Sequence, residues 1–249
     1  MKIAIIPARG GSKRIPNKNI KQFFGVPILL RTLRILSSSE LFDRIIVSTD
    51  SEEISEISLQ EPGVEISLRE SFLSSDSVNI IDVMAGVIKN EKLDSDSDIS
   101  CVYAPNPFLK TDALGLGLEL LRTDLRISYV SSVTSYAFPI QRSLKFSSID
   151  GRLEIAESMF SDTHSQNLEV RFHETAQFWW AKALTWVNKY PMQSNVRGIY
   201  VPRWMAQDID TPEDWDRAEL IWEFLNKNPK YNDYKFSDKN IINSKNFRV

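Results

Sequence analysis

The stretch IAIIPARGGSKRIPNKNIK, residues 3–21, decides how this chain folds. Its first four residues, Ile3 to Ile6, form an apolar, largely β-branched run that reads as a short buried strand. They lead straight into a loop with adjacent Gly10 and Gly11, two prolines and five basic residues, Arg9, Lys13, Arg14, Lys18 and Lys21. That loop holds no acid, although the whole chain has 33 acidic against 30 basic residues and a formal charge of −3. Glycine lets backbone approach a ligand closely, and N–H groups in such a turn can point at phosphate oxygens. Arginine adds a planar fork of donors and lysine a point charge. A triphosphate would complement this loop, and a solvated basic turn would also accommodate it; both readings stand at this level. Neither GxxxxGK[ST] nor GxGxxG is present.

Outward from this stretch, strand and helix signals alternate. RIIVST (44–49), VEISL (64–68), ISCVYA (99–104) and YVSSVT (129–134) read as further strands. Pro27 is expected to open a helix through PILLRTLRILSSS, since proline suits a first helical turn. Residues 76–90 place Ile80, Val83, Met84, Val87 and Ile88 on one helical face, with Asp76 or Ser77 as the expected cap. Thr111 and Asp112 start another helix, through Leu121. In DTPEDWDRAELIWEFL (210–225), Thr211 caps, Pro212 is the first helical residue, and Asp214 completes an acidic capping box. Trp215, Ala218, Trp222 and Leu225 form its apolar seam.

Such alternation predicts an α/β fold, a mostly parallel sheet with helices on both faces, whose ligands bind beyond the carboxyl ends of the strands. The opening loop sits at such an end. From about 137 to 175 the pattern changes. AFPIQRSLKF and GRLEIA flank Asp150-Gly151, a hairpin signal, and read as an antiparallel excursion. AQFWWA (176–181) and GIYV (198–201) read as strands returning to the sheet. The adjacent Trp179 and Trp180 would point to opposite faces, with core packing the default for either. The expected organisation is one domain over 1–227 and a polar tail over 228–249, frayed or held by a partner.

Composition excludes several classes. An acidic chain with 42% hydrophobic residues is no general nucleic-acid binder. A single cysteine, Cys101, within a strand-like run excludes an intrachain disulfide and a thiolate zinc site, and reads as a small core residue. Only His164 and His173 are available for imidazole chemistry. No stretch approaches the ~20 apolar residues of a membrane helix, and the apolar start is short for a signal peptide, so a cytoplasmic protein is expected.

Far from the basic loop lies Asp208-Ile209-Asp210. In an extended segment, residues i and i+2 face the same way, so both carboxylates can meet one ion. Paired carboxylates suit Mg²⁺ bound to phosphates. The alternative is a solvated Asp208 beside an Asp210 that merely flanks a helix cap.

Three segments together resemble the CMP-sialic acid synthetases and related cytidylyltransferases: IIPARGGSKRIPNKNI (5–20), FDRIIVSTDSEEI (42–54) and QDIDTPEDW (207–215). The resemblance spans about residues 2–225 and implies a Rossmann-like nucleotidyltransferase fold with a small antiparallel dimerisation excursion. AFPIQRSLK (137–145), SQNL (165–168) and AQFWWAKA (176–183) are more similar to the subgroup acting on pseudaminic acid than to the neuraminic acid enzymes. The resemblance implies CTP and a nonulosonic acid as substrates, a CMP-sugar and pyrophosphate as products, Mg²⁺ as cofactor, and a homodimer.

Carried onto this chain, Arg9 and Lys18 match triphosphate-binding positions. Ala8, Gly10, Gly11, Ser12 and Lys13 lie in the same nucleotide-binding signature. Asn19 and Arg69 match nucleotide contacts, and Asp208 and Asp210 the metal pair. Gln141, Arg142, Gln166 and Gln177 are the implied sugar-binding residues. Ala104 stands where the neuraminic acid enzymes carry a glutamine, as in the pseudaminic subgroup. His164 stands where an arginine is expected, and RESFLSSDS lacks the family's proline.

Overall fold

The computed structural model describes every residue except 71, 72, 74–77, 148–150 and 244–249. Its main sheet is built from seven strands: β1 (Lys2–Pro7), β4 (Arg44–Thr49), β5 (Val64–Leu68), β6 (Asp98–Val102), β7 (Tyr129–Ser135), β10 (Phe172–Lys182) and β11 (Val196–Tyr200). They lie in the order β11-β7-β10-β6-β1-β4-β5. β1 pairs in parallel with both β4 and β6, β4 with β5, and β11 with β7. β10 alone runs antiparallel, between β6 and β7. Two short pairs lie apart from the sheet, Gln22–Phe23 (β2) with Val26–Pro27 (β3), and Leu144–Phe146 (β8) with Leu153–Ile155 (β9).

The continuous apolar run of β1 is explained by its central place. Successive side chains enter opposite layers: Ala4 and Ile6 join one core, Ile3 and Ile5 the other. The first layer takes α1 (Ile28–Ser38), α4 (Thr111–Thr123) and α6 (Pro212–Lys227), through Leu29, Leu33, Leu114 and Trp215. The second takes α3 (Ile80–Asn90) and α5 (Ala183–Val187), through Met84, Ile88 and Trp186. Trp179 and Trp180 also divide between the layers, and both are core residues. Cys101 is fully buried, and that burial pushes its thiol pKa up, which keeps it inert.

Several local readings change. Pro27 ends β3 and occupies the N-cap of α1 rather than its first turn. The α3 cap is Asn79, whose side chain accepts from Asp82 N at 2.9 Å. The expected caps Asp76 and Ser77, like Asp150 of the hairpin signal, lie outside the described residues. The short helix Glu52–Ser58 (α2), capped by Ser51, is too brief to show helical periodicity in sequence. β10 starts at Phe172, inside the expected excursion. The α6 capping box forms as read, with Pro212 at the start.

The polar tail is held by its own chain through Asn243, not frayed. It forms a short helix, Pro229–Asn232 (α7), buries Phe236, and bridges Ile241 to Ile199 of β11. Lys110 Nζ donates to Asn232 O at 2.7 Å, and Phe236 N to Asp112 Oδ2 at 2.9 Å. Backbone groups at the sheet edge thus find partners in a polar segment, which composition does not reveal.

Candidate active site

Beyond the carboxyl ends of β1, β4, β5 and β6 lies a cleft of about 580 Å³. The basic loop supplies Arg9, Ser12, Lys13, Arg14, Lys18 and Asn19 to its wall. Arg69 enters just after β5 and Tyr103 just after β6. Glu174 enters from β10, and Asp208 and Asp210 from the segment between β11 and α6. Residues nearly 200 positions apart therefore share one cavity, because the strands that carry them end on the same edge.

Short contacts join its two ends. Lys18 Nζ donates to Asp210 Oδ1 at 2.9 Å and to Ile209 O at 2.8 Å. Arg14 Nη2 donates to Asp210 Oδ2 at 2.7 Å. Asp214 anchors the acidic segment, its Oδ2 accepting from the Asp210 and Thr211 N–H groups at 3.2 and 2.9 Å. The helix cap and the carboxylate pair are thus one structure.

The two carboxylates are electrostatically unequal. Partial burial raises the Asp208 pKa, and the neighbouring Asp210 charge raises it further, against the pull of Lys18. Burial acts the same way on Asp210, but the Lys18 and Arg14 contacts outweigh it and hold its pKa below the usual range. Burial also lowers the pKa of Arg69, which stays charged. Its Nη2 donates to Ser48 O at 2.9 Å.

The remaining expected positions divide. Ala8 is fully buried in the core, and its N–H donates to Ser48 O. The Gly10 N–H is directed to Asp50 Oδ1 at 2.9 Å, not into the cleft. A Cβ there would come within 3.0 Å of Ser51 Cβ, so Gly10 serves the close approach of the loop to α2. Gly11 is exposed in open space. Asn19 is nearly buried and donates to Arg9 O at 3.0 Å, which shapes the loop. Lys21 leaves the cleft and lies over the Trp215 ring, 4.1 Å from its centroid.

The four glutamine and arginine candidates for the sugar do not line the cleft of this chain. Gln141 is buried and donates to Glu169 O at 2.8 Å; Gln177 is buried and donates to Met205 O at 2.7 Å. Arg142, Gln166 and His164 are exposed on the excursion. Ala104 does line the cleft. Sequence reasoning missed Arg14 and Glu174 as cleft residues. Arg14 was countable within the basic run, whereas no spacing signals Glu174.

Comparison with known proteins gives the family and the fold. A family model described as Cytidylyltransferase matches residues 3–137, from β1 past the end of β7. The chain belongs to the cytidylyltransferase family. A pseudaminic acid cytidylyltransferase of Campylobacter jejuni is 29% identical over 226 residues, covering 89% of this chain and 96% of the relative. A CMP-N,N'-diacetyllegionaminic acid synthase of Legionella pneumophila is 27% identical over 230 residues, with the same coverage of each chain. The solved CMP:2-keto-3-deoxy-manno-octonic acid synthetase complexed with CTP has the same fold. It superposes with a TM-score of 0.65 at 14% identity, covering 90% of this chain and 98% of the other. In this cytidylyltransferase the family match includes the basic loop and ends before β10, Asp208 and Asp210.

Proposed function

We propose that this cytidylyltransferase activates a nonulosonic acid, pseudaminic acid first among them, by transferring CMP from CTP and releasing pyrophosphate. The observation that carries this reading is the meeting of Arg14 and Lys18 with Asp210 in one cleft, below the strand ends that carry Arg9 and Arg69. The names of the full-length relatives support the substrate class.

In the reaction the sugar's anomeric hydroxyl oxygen attacks the α-phosphorus of CTP. A new O–P bond forms, the bond to the β-phosphate bridging oxygen breaks, pyrophosphate leaves with that electron pair, and the hydroxyl proton passes to water. Positioning and charge stabilisation do most of the work in such a transfer. Arg9, Lys13, Arg14 and Lys18 supply positive charge along the triphosphate. Arg69 and the backbone shaped by Asn19 border the nucleotide's end.

The donor set fits magnesium. Asp208 and Asp210 offer hard carboxylate oxygens beside a phosphate-binding loop. Magnesium is commonly held by one or two carboxylates together with substrate phosphates and water, so this pair suffices. When bound, the ion neutralises phosphate charge. Asp208 and Asp210 would hold the ion, and Lys18 and Arg14 keep the Asp210 carboxylate in place for it.

Pyrophosphate release from CTP, measured with a panel of nonulosonic acids, tests the reading. Turnover with pseudaminic acid is expected to exceed that with N-acetylneuraminic or legionaminic acid. A preference for either of those would reassign the sugar, and no release with any acid would remove the reading. A metal-dependent glycosyltransferase would instead consume a finished nucleotide-sugar, for which a triphosphate loop has no use. A cytoplasmic location is part of the proposal, because CTP is a cytoplasmic substrate. Among the described residues no helix is long and apolar enough to cross a membrane.

We also propose a homodimer through the excursion. Phe138, Leu144, Phe146, Leu153 and Met159 are exposed there, at 83, 59, 70, 63 and 79%. So large an apolar surface on one small hairpin region asks for a cover. Sedimentation equilibrium is expected to return twice the chain mass, and Phe146→Glu to shift it toward monomer. A monomeric wild type at micromolar concentration would remove this assignment.

A further inference from the structure

The antiparallel strand β10 carries an irregularity that the nucleotide-binding parts do not explain. Its register on β7 runs Phe172 to Ser135, His173 to Thr134 and Glu174 to Val133, then resumes at Trp179 against Ser131. The step from Glu174 to Trp179 on β10 thus matches only the step from Val133 to Ser131 on β7. Within the irregular stretch Ala176 has φ of 50°, the left-handed region that a non-glycine residue enters at a cost. In a regular strand, residues five apart lie about 17 Å from one another on opposite faces. Here they touch: Trp179 Nε1 donates to Glu174 Oε2 at 2.9 Å. The indole, itself buried, clamps one carboxylate oxygen of Glu174, while the residue lines the cleft. Bulges of this kind re-aim a side chain beside a binding site.

Glu174 adds a carboxylate to a cleft that already holds Asp208 and Asp210. Asp210 is paired with Lys18 and Arg14, and Asp208 feels Asp210, Lys18 and also Glu174. Glu174 lines the same cleft as Asp208 and lies within its electrostatic reach. A carboxylate there repels a triphosphate and suits a ligand with hydrogen-bond donors. Tyr103, also in the cleft, lies within the electrostatic reach of both Glu174 and Asp208. Burial raises its phenol pKa, so it stays a neutral O–H donor.

We propose that Glu174, set by the β10 bulge and the Trp179 indole, is a specificity-determining residue that accepts a hydrogen bond from a hydroxyl or acylamino N–H of the sugar acid. This rests on the cytidylyltransferase reading of the cleft and adds the sugar side, which Gln141, Arg142, Gln166 and Gln177 of this chain do not line. The carboxylate binds the donor-bearing flank of the sugar, since the sugar's own carboxylate would be repelled there.

The test uses Glu174→Gln and Trp179→Phe in the full chain, with the wild type alongside. The first removes the charge, and the second removes the clamp while leaving the carboxylate in place. In Glu174→Gln the KM for the sugar acid is expected to rise about tenfold or more, as for loss of a charge-assisted hydrogen bond. Trp179→Phe is expected to raise it several-fold. CTP affinity by calorimetry should stay within twofold in both, which a general structural defect would not allow. A folded Glu174→Gln protein with unchanged sugar KM, in an active wild-type background, would overturn the inference. So would an equal loss of CTP affinity, which would place Glu174 on the nucleotide side. A wild type inactive toward every sugar acid would remove the function reading itself, and this inference with it.

Discussion

Replacing Asp208 with asparagine is expected to lower kcat/KM about a thousandfold while leaving the fold intact. The change keeps the side chain's size and removes its charge. Asp208 belongs to no helix, strand or core cluster, so thermal unfolding should barely move. The loss falls on charge stabilisation at the phosphates, where removal of one well-placed group costs about 10²–10³ in rate, and a metal ligand acts on several phosphate oxygens together. Pyrophosphate release measured across a magnesium titration checks this, and full activity at limiting magnesium would sink the metal assignment. The pH profile carries a second signature. Burial and the Asp210 charge raise the Asp208 pKa, so acidification neutralises Asp208 before Asp210. The acid limb of kcat/KM should therefore follow Asp208. In Asp210→Asn that repulsion is gone, and any residual acid limb should move to lower pH.

Lys18→Ala is expected to weaken CTP binding about ten- to a hundredfold, the range for a lost charge-assisted hydrogen bond in a partly buried site. The lysine stands between the two halves of the cleft, bonded to Ile209 O and Asp210 Oδ1. Removing it leaves Arg14 paired with Asp210 and lets the Asp210 pKa rise toward its ordinary value. Calorimetric titration with CTP checks the affinity. An unchanged Kd would remove Lys18 from the triphosphate site and leave it as a tie between loop and acidic segment.

Much of the scaffold was legible because local chemistry and tertiary place agree there. Ile3 to Ile6 read as a buried strand and proved central, with alternate side chains in two cores. The α6 start was legible in Thr211, Pro212 and Asp214, because a capping box is a contact among near neighbours. α2 escaped, since seven residues show too little periodicity. The tail escaped because its anchors, Asp112, Gly198 and Ile199, lie far away in sequence. Composition reports polarity, and polarity does not exclude a segment that caps a sheet edge.

The site divides along the same line. Sequence alone singled out two ends of the cleft: a basic, glycine-bearing loop after the first strand and a carboxylate pair before the last long helix, each recognisable from adjacent residues. Only the tertiary structure decided which of those residues line the cleft. It turned Ala8 into the core, the Gly10 N–H toward Asp50 and Lys21 onto Trp215, and it brought Arg14 to Asp210. It also brought in Glu174, through a register shift that no periodicity announces. The physical reason is range. Caps, turns and buried runs arise from neighbours along the chain, whereas a cleft is assembled by strand order and register, which bring distant residues to one edge.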